Sequence, residues 1–208
     1  MTGTEGLAVV AAAYLLGSVS FSVVIVKLKE GRDVRTVGSG NAGATNVLRA
    51  SGVPAAVLVL GLDLAKGVTA VLGARLLEAP APVVGGAACA VVLGHVFPVF
   101  FGFRGGKGVA TSAGALGALE PTAMLATLAV FVAVVAWKRY VSLGSILAAL
   151  VFPFLSWGGH RVGWIPGGDR SVVLASAAIA GLVLFRHLSN LKRLRRGTEP
   201  RLGGKVDA

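Results

Sequence analysis

The chain has 208 residues, 55% of them hydrophobic and 14% charged, with 30 glycines and a formal charge of +11. Soluble chains carry about 45 to 50% apolar residues with glycine included and about 25% charged ones. A soluble domain, a disordered chain, a coiled coil and a nucleic-acid-binding tail are therefore excluded, because the basic residues sit in short stretches between long apolar runs. The single cysteine, Cys89, lies inside such a run, so no intrachain disulfide and no cysteine-rich metal site can form. The expected class is an all-α polytopic membrane protein, one transmembrane domain over residues 1–208.

The apolar runs cover about 6–26, 53–77, 82–103, 108–136, 142–157 and 171–185, against about 20 residues for one crossing. The fourth is too long for one helix and contains Glu120-Pro121, a carboxylate beside a helix breaker. Splitting it there makes seven spans. Lysine and arginine accumulate on the cytoplasmic side of span ends. Seven spans place 16 basic residues on one face, Lys205 among them, against Arg75, Arg161 and Arg170 opposite; six spans give 9 to 10. The expectation is seven transmembrane helices with the N-terminus outside and the C-terminus cytoplasmic. Met1 to Gly6 carries only Glu5 and lacks the basic start of a signal peptide, so the first span is expected to stay attached. Residues 108–119 would make roughly 18 Å of helix, too short to cross alone, and read as a short or half-buried helix behind Lys107.

The first inside loop, Gly38 to Arg49, is small and crowded with donors: Ser39, Asn41, Thr45, Asn46 and Arg49 stand among glycines and alanines. Such a loop lets backbone amides approach an anion; the weaker alternative is a flexible connection. It contains G-x-G-x-x-G with Asp63 twenty residues past Gly43, but polar residues precede it where a dinucleotide fold needs a buried strand. The second loop, Phe103 to Gly108, sets Gly106 and Lys107 at a helix start, a place suited to phosphate. It is not a P-loop, since Phe101 replaces the leading glycine and Gly108 the required Ser or Thr. Lys107 and Arg104 can also be read as ordinary positive-inside anchors.

His187 and Asn190 are three apart and expected on one helical face, histidine being the natural proton carrier near neutral pH; a structural histidine fits the spacing equally well. Lys192 to Arg196 reads as a headgroup anchor. Ser142 opens the sixth span, either capping it or offering a hydroxyl. Asp63 and Lys66 read as a structural pair, His95 as structural too, and His160 receives no role. No histidine has an aspartate five positions later, which excludes the histidine-aspartate mechanism of soluble glycerolipid acyltransferases, and the nine scattered acids make neither a magnesium site nor any other metal cofactor.

Three segments resemble the bacterial integral-membrane acyl-phosphate:glycerol-3-phosphate acyltransferases, the PlsY family. They are Gly38 to Arg49, Gly94-His95-Val96-Phe97-Pro98 running on to Gly106-Lys107-Gly108-Val109-Ala110-Thr111, and Arg186-His187 through Asn190 to Gly197-Thr198-Glu199. The resemblance covers nearly the whole length. It implies transfer of a fatty acyl group from acyl phosphate to the 1-hydroxyl of glycerol 3-phosphate, giving lysophosphatidic acid and phosphate, the first step of phospholipid synthesis, without a cofactor. It further implies that Ser39, Arg49 and Lys107 hold phosphate while Asn41, Thr45, Asn46 and Gly106 line the loops. Ser142, His187 and Asn190 would complete the site, with Glu199 tying down the C-terminal segment. The implied location is the bacterial plasma membrane with the active site on the cytoplasmic side. The implied partners are the two substrates, the lipid bilayer and, as a candidate for docking, the soluble enzyme that makes acyl phosphate. Nucleic acid is not among them. The competing reading is a transporter for a phosphorylated metabolite.

Overall fold

A computed structural model describes residues 1–165 and 169–203; Lys205, counted above among the inside charges, lies outside the described residues. Ten helices are described, in the order α1 (Gly3–Gly17), α2 (Phe21–Glu30), α3 (Ala44–Ser51), α4 (Val53–Leu76), α5 (Ala81–Val96), α6 (Val109–Leu119), α7 (Pro121–Lys138), α8 (Val141–Arg161), α9 (Arg170–Arg186) and α10 (Leu188–Arg195).

Their ends follow local chemistry. Thr2 and Glu5 close a capping box on α1. Gly31, at φ 70°, ends α2 in the left-handed region that glycine enters without strain. Prolines stand in the first turns of α4, α5 and α7, where a missing N–H costs nothing. Asp169 caps α9 by accepting from the Ser171 amide.

Five helical stretches are long and apolar enough to cross a bilayer: α1 with α2, α4, the stretch Ala81–Phe101, α7 and α8. The pair α9 and α10, bent by 54°, makes a sixth if it counts as one span. α6 is apolar but has only 11 residues. This is an all-helical, multi-pass membrane architecture. Two boundaries differ from the sequence reading. The run 6–26 reads as one span, yet the helix breaks at Ser18 to Ser20, within the stretch Gly17-Ser18-Val19-Ser20. α8 continues to Arg161 instead of stopping near 157, carrying Pro153 inside it. The split at Glu120-Pro121 falls where the proline predicts.

The chain divides into two compact units, Met1–Leu119 and Glu120–Ala208. In the first, glycines bring helices into backbone contact. A Cβ at Gly17 would run into the Val91 backbone, one at Gly94 into Tyr14 and Ser18, one at Gly67 into Thr111, and one at Gly114 into Leu64. Membrane helices associate by such small-residue approach because lipid offers no hydrophobic drive to bring them together. α1 thus packs on α5 and α4 on α6. Beneath the first loop lies a core of Val23, Val26, Val34, Ala42, Val47, Ala55, Ala56 and Val59, which seats both the loop and α3. In the second unit α7, α8 and α9 pack in chain order, and α10 touches α8 and α9.

Candidate functional site

The donor loop of the first unit is shaped from within. Gly38 and Gly40 take φ of 57° and 67°, and a Cβ on Gly38 would press on Asn46 Oδ1. Asn46 is 2% exposed. Its Nδ2 donates to the Val34 and Val37 carbonyls at 2.9 and 3.0 Å, and its Oδ1 accepts from the Ser39 amide at 2.9 Å. Both ends of this amide therefore serve the loop's own backbone. Ser39 and Arg49 are exposed, Asn41 and Thr45 half-buried. Arg49 stands in the last turn of α3.

The sequence reading missed the residue that ties this loop to the second one. Arg35, noted only as an inside charge, forks onto Asp33 with contacts of 2.7 and 3.1 Å. Its other nitrogen donates to the Phe101 and Arg104 carbonyls at 2.7 and 3.3 Å. Five fixed donors let one guanidinium serve both partners. Hydrogen bonds from Arg35 hold the Asp33 carboxyl below the usual aspartate range, and the same carboxylate pushes the Arg35 pKa up. The Asp33-x-Arg35 spacing was the available signal, but nothing in it names the distant carbonyls.

The second loop is pinned at its glycines. Gly105 and Gly106 amides donate to the Val96 and His95 carbonyls, each at 3.2 Å. Lys107 follows, half-buried, two residues before α6. Asp63 and Lys66 pair at 2.9 Å as the sequence suggests, and Lys66 also donates to the Gly17 and Val19 carbonyls.

In the second unit, His187 stands at the bend between α9 and α10, with φ −103° and ψ 4°. His187 both ends α9 and caps the start of α10, where its carbonyl accepts the Leu191 amide at 2.9 Å, so it opens the short helix in which Asn190 lies three residues on. His187, 2% exposed, has its Nδ1 2.7 Å from the Val183 carbonyl. A carbonyl only accepts, so Nδ1 donates there. Asn190 Nδ2 donates to Glu199 Oε1 at 2.6 Å, and Arg193 Nε donates to Glu199 Oε2 at 2.8 Å. Burial pushes the Glu199 carboxyl up; nearby Ser142 with the Asn190 and Arg193 contacts outweighs that and holds it below the usual range. Ser142 is buried and does not cap α8, whose cap is Tyr140. His160, given no role from sequence, has its Nε2 2.6 Å from Glu120.

The family profile described as glycerol-3-phosphate acyltransferase matches residues 7–197. The chain belongs to the glycerol-3-phosphate acyltransferase family. A glycerol-3-phosphate acyltransferase of Halalkalibacterium halodurans is 44% identical over 209 residues, covering 97% of this chain and 98% of that protein. One of Aquifex aeolicus is 44% identical over 199 residues, covering 95% and 99%. A solved structure of PlsY (YgiH), an integral membrane glycerol 3-phosphate acyltransferase in its glycerol 3-phosphate form, superposes with a TM-score of 0.88. It shares 43% identity, and 96% of each chain is covered. The lysophosphatidic acid form gives 0.84, 40% and 95% of each chain. The PlsY resemblance read from three motifs is thereby established, and membership of an acyltransferase family decides against the transporter reading. In this glycerol-3-phosphate acyltransferase, the first two motifs are the two loops joined by Arg35, and the third is the His187 bend with its Glu199 tie.

Proposed function

We propose that this glycerol-3-phosphate acyltransferase draws its acyl group from an acyl phosphate and delivers it to the 1-hydroxyl of glycerol 3-phosphate. The hydroxyl oxygen attacks the acyl carbon, the bond from that carbon to the bridging phosphate oxygen breaks, and lysophosphatidic acid and inorganic phosphate leave. An acyl phosphate is a mixed anhydride and departs without a strong acid, so the protein mainly positions and neutralises.

The observation that carries this reading is the Arg35 clasp, which joins a donor-rich glycine loop to the loop that bears Lys107. In this reading Ser39, Arg49 and Lys107 hold phosphate, with Asn41, Thr45 and Gly106 lining the loops and Asn46 shaping the first one. Ser142, His187 and Asn190 are the further residues this reading assigns to the reaction. The hydroxyl proton ends on the released phosphate, transferred directly to the donor while His187 and Asn190 hold it in place. The Val183 carbonyl on His187 Nδ1 supports this choice, since it stands where a hydrolase triad has its carboxylate.

The reading also carries a topology: seven crossings, N-terminus outside and C-terminus cytoplasmic, with the site facing the cytoplasm. The bias of basic residues supports it, and so does α6, whose 11 residues make about 16 Å of helix and suit a seventh, partly buried element. It places the protein in the bacterial plasma membrane and makes the soluble acyl-phosphate-producing enzyme a candidate docking partner. Purified protein in detergent, given acyl phosphate and glycerol 3-phosphate, should release phosphate and lysophosphatidic acid, whereas an acyl thioester in place of acyl phosphate should yield neither. Equal turnover with the thioester would overturn the choice of donor.

A further inference from the structure

We propose that His95 is a positioning residue of the phosphate site: its ring, held between Asp63 and Thr111, sets the Gly105-Gly106 turn and through it the place of Lys107. The inference rests on the reading of Lys107 as a phosphate ligand and extends it into the membrane-buried part of the first unit.

Three helices and one loop meet at this imidazole. Asp63 on α4, His95 on α5 and Thr111 on α6 are 2%, 7% and 0% exposed. His95 Nδ1 lies 3.2 Å from Thr111 Oγ1 and 3.5 Å from Asp63 Oδ1. Lys66 balances the Asp63 charge and is itself secured by two carbonyls at the break between α1 and α2. An ionisable pair at such depth needs a partner. Asp63 and Lys66 already provide that for each other, so the pair alone does not explain why a histidine is added. The far edge of the ring explains it. A carboxylate can only accept, which favours the proton on Nδ1 and makes Nε2 the other ring edge. Nε2 and the Ala42 carbonyl together occupy the space that a side chain on residue 106 would need, and Gly106 is the residue there.

His95 thus meets the turn twice. Its carbonyl accepts the Gly106 amide at 3.2 Å, and its ring shares the place of a Cβ with the Ala42 carbonyl. Thr111 lies four residues beyond Lys107, so the same ring steadies the first turn of α6. Displacing the imidazole moves the backbone on both sides of Lys107, and an ångström there matters for a charged contact to phosphate.

The test is a double-mutant cycle on detergent-purified full chain, with monodispersity and thermal midpoint recorded first. His95→Asn keeps a donor near Nδ1 and removes the far edge of the ring. It should raise KM for glycerol 3-phosphate at least tenfold while leaving KM for acyl phosphate within twofold. Thr111→Val, a gentler change of nearly the same shape, should raise the same constant by a smaller factor; if His95→Asn fails to fold, it carries the cycle in its place. In a Lys107→Ala background either change should add less than twofold. Full, independent multiplication of the effects, a parallel rise in both KM values, or no rise would overturn the inference and leave His95 a packing residue. An unchanged KM for glycerol 3-phosphate in Lys107→Ala alone would instead remove Lys107 from the site, and the inference would fall with that reading.

Discussion

The two units hold their polar groups by different means. In Met1–Leu119, helices meet backbone to backbone through glycines, and the loop side chains are fastened to carbonyls and amides: Asn46 to Val34, Val37 and Ser39, Arg35 to Phe101 and Arg104. In Glu120–Ala208 the C-terminal segment is tied through a carboxylate, Glu199 receiving Asn190 and Arg193, and Glu120 faces His160, whereas the ion pairs of the first unit, Asp33–Arg35 and Asp63–Lys66, accompany those backbone ties. Burial differs in the same sense. The apolar window of Ala81–Phe101 is 61% buried, that of α7 only 11%. A unit fastened through its backbone tolerates little change in volume, whereas one fastened through side-chain charges answers to protonation.

The sharpest way to break this comparison is kinetic. His187→Ala should lower turnover at saturating substrates by at least about 100-fold, the usual scale for losing a group that holds developing charge in the reacting centre. Unchanged phosphate release would leave the second unit without a part in the chemistry. Next in size is Gly67→Ala, whose methyl would strike the Thr111 carbonyl and the Ala115 amide. Overpacking of this kind costs about 1 to 3 kcal/mol, so the thermal midpoint in detergent should fall by several degrees. Its counterpart in the second unit, Gly181→Ala on α9, meets nothing within 4 Å. There the same substitution should be neutral or stabilise by about 0.5 to 1 kcal/mol, from lower backbone entropy in the unfolded chain. Equal losses at the two glycines would erase the packing contrast.

The smallest effect concerns acid. The folded Glu199 carboxyl is depressed, so its stabilisation is complete above the ordinary glutamate pKa of about 4.3 and is lost as pH falls through its lower folded value. Thermal midpoints measured from pH 7 downward should show that decline in the parent and a flatter profile in Glu199→Gln. Identical profiles would detach Glu199 from the stability of the C-terminal segment.

Much of the fold could be read along the chain, as at Glu120-Pro121, where a carboxylate and a proline inside an apolar run marked the end of α6 and the start of α7. The break at Ser18 to Ser20 could not. No charge or proline interrupts the run there, only Gly17, Ser18 and Ser20, and the helix stops where the Gly17 and Val19 carbonyls receive Lys66 from α4. The donors of the site were equally visible as residue types, while their employment was not. Asn46 looked like a group for a ligand, and the structure turns both ends of it to the loop.

Membrane class, helical makeup and the three motifs were settled by local pattern, because span length and turn residues act over a few neighbours. Contacts between residues far apart in the chain decided the rest. Arg35 reaches carbonyls 66 and 69 residues away, and His95 meets Thr111 at a separation of 16. A hydrogen bond depends on where two atoms lie in space: α5 and α6 bring His95 to Thr111, and the segments that follow α2 and α5 bring Arg35 to its carbonyls.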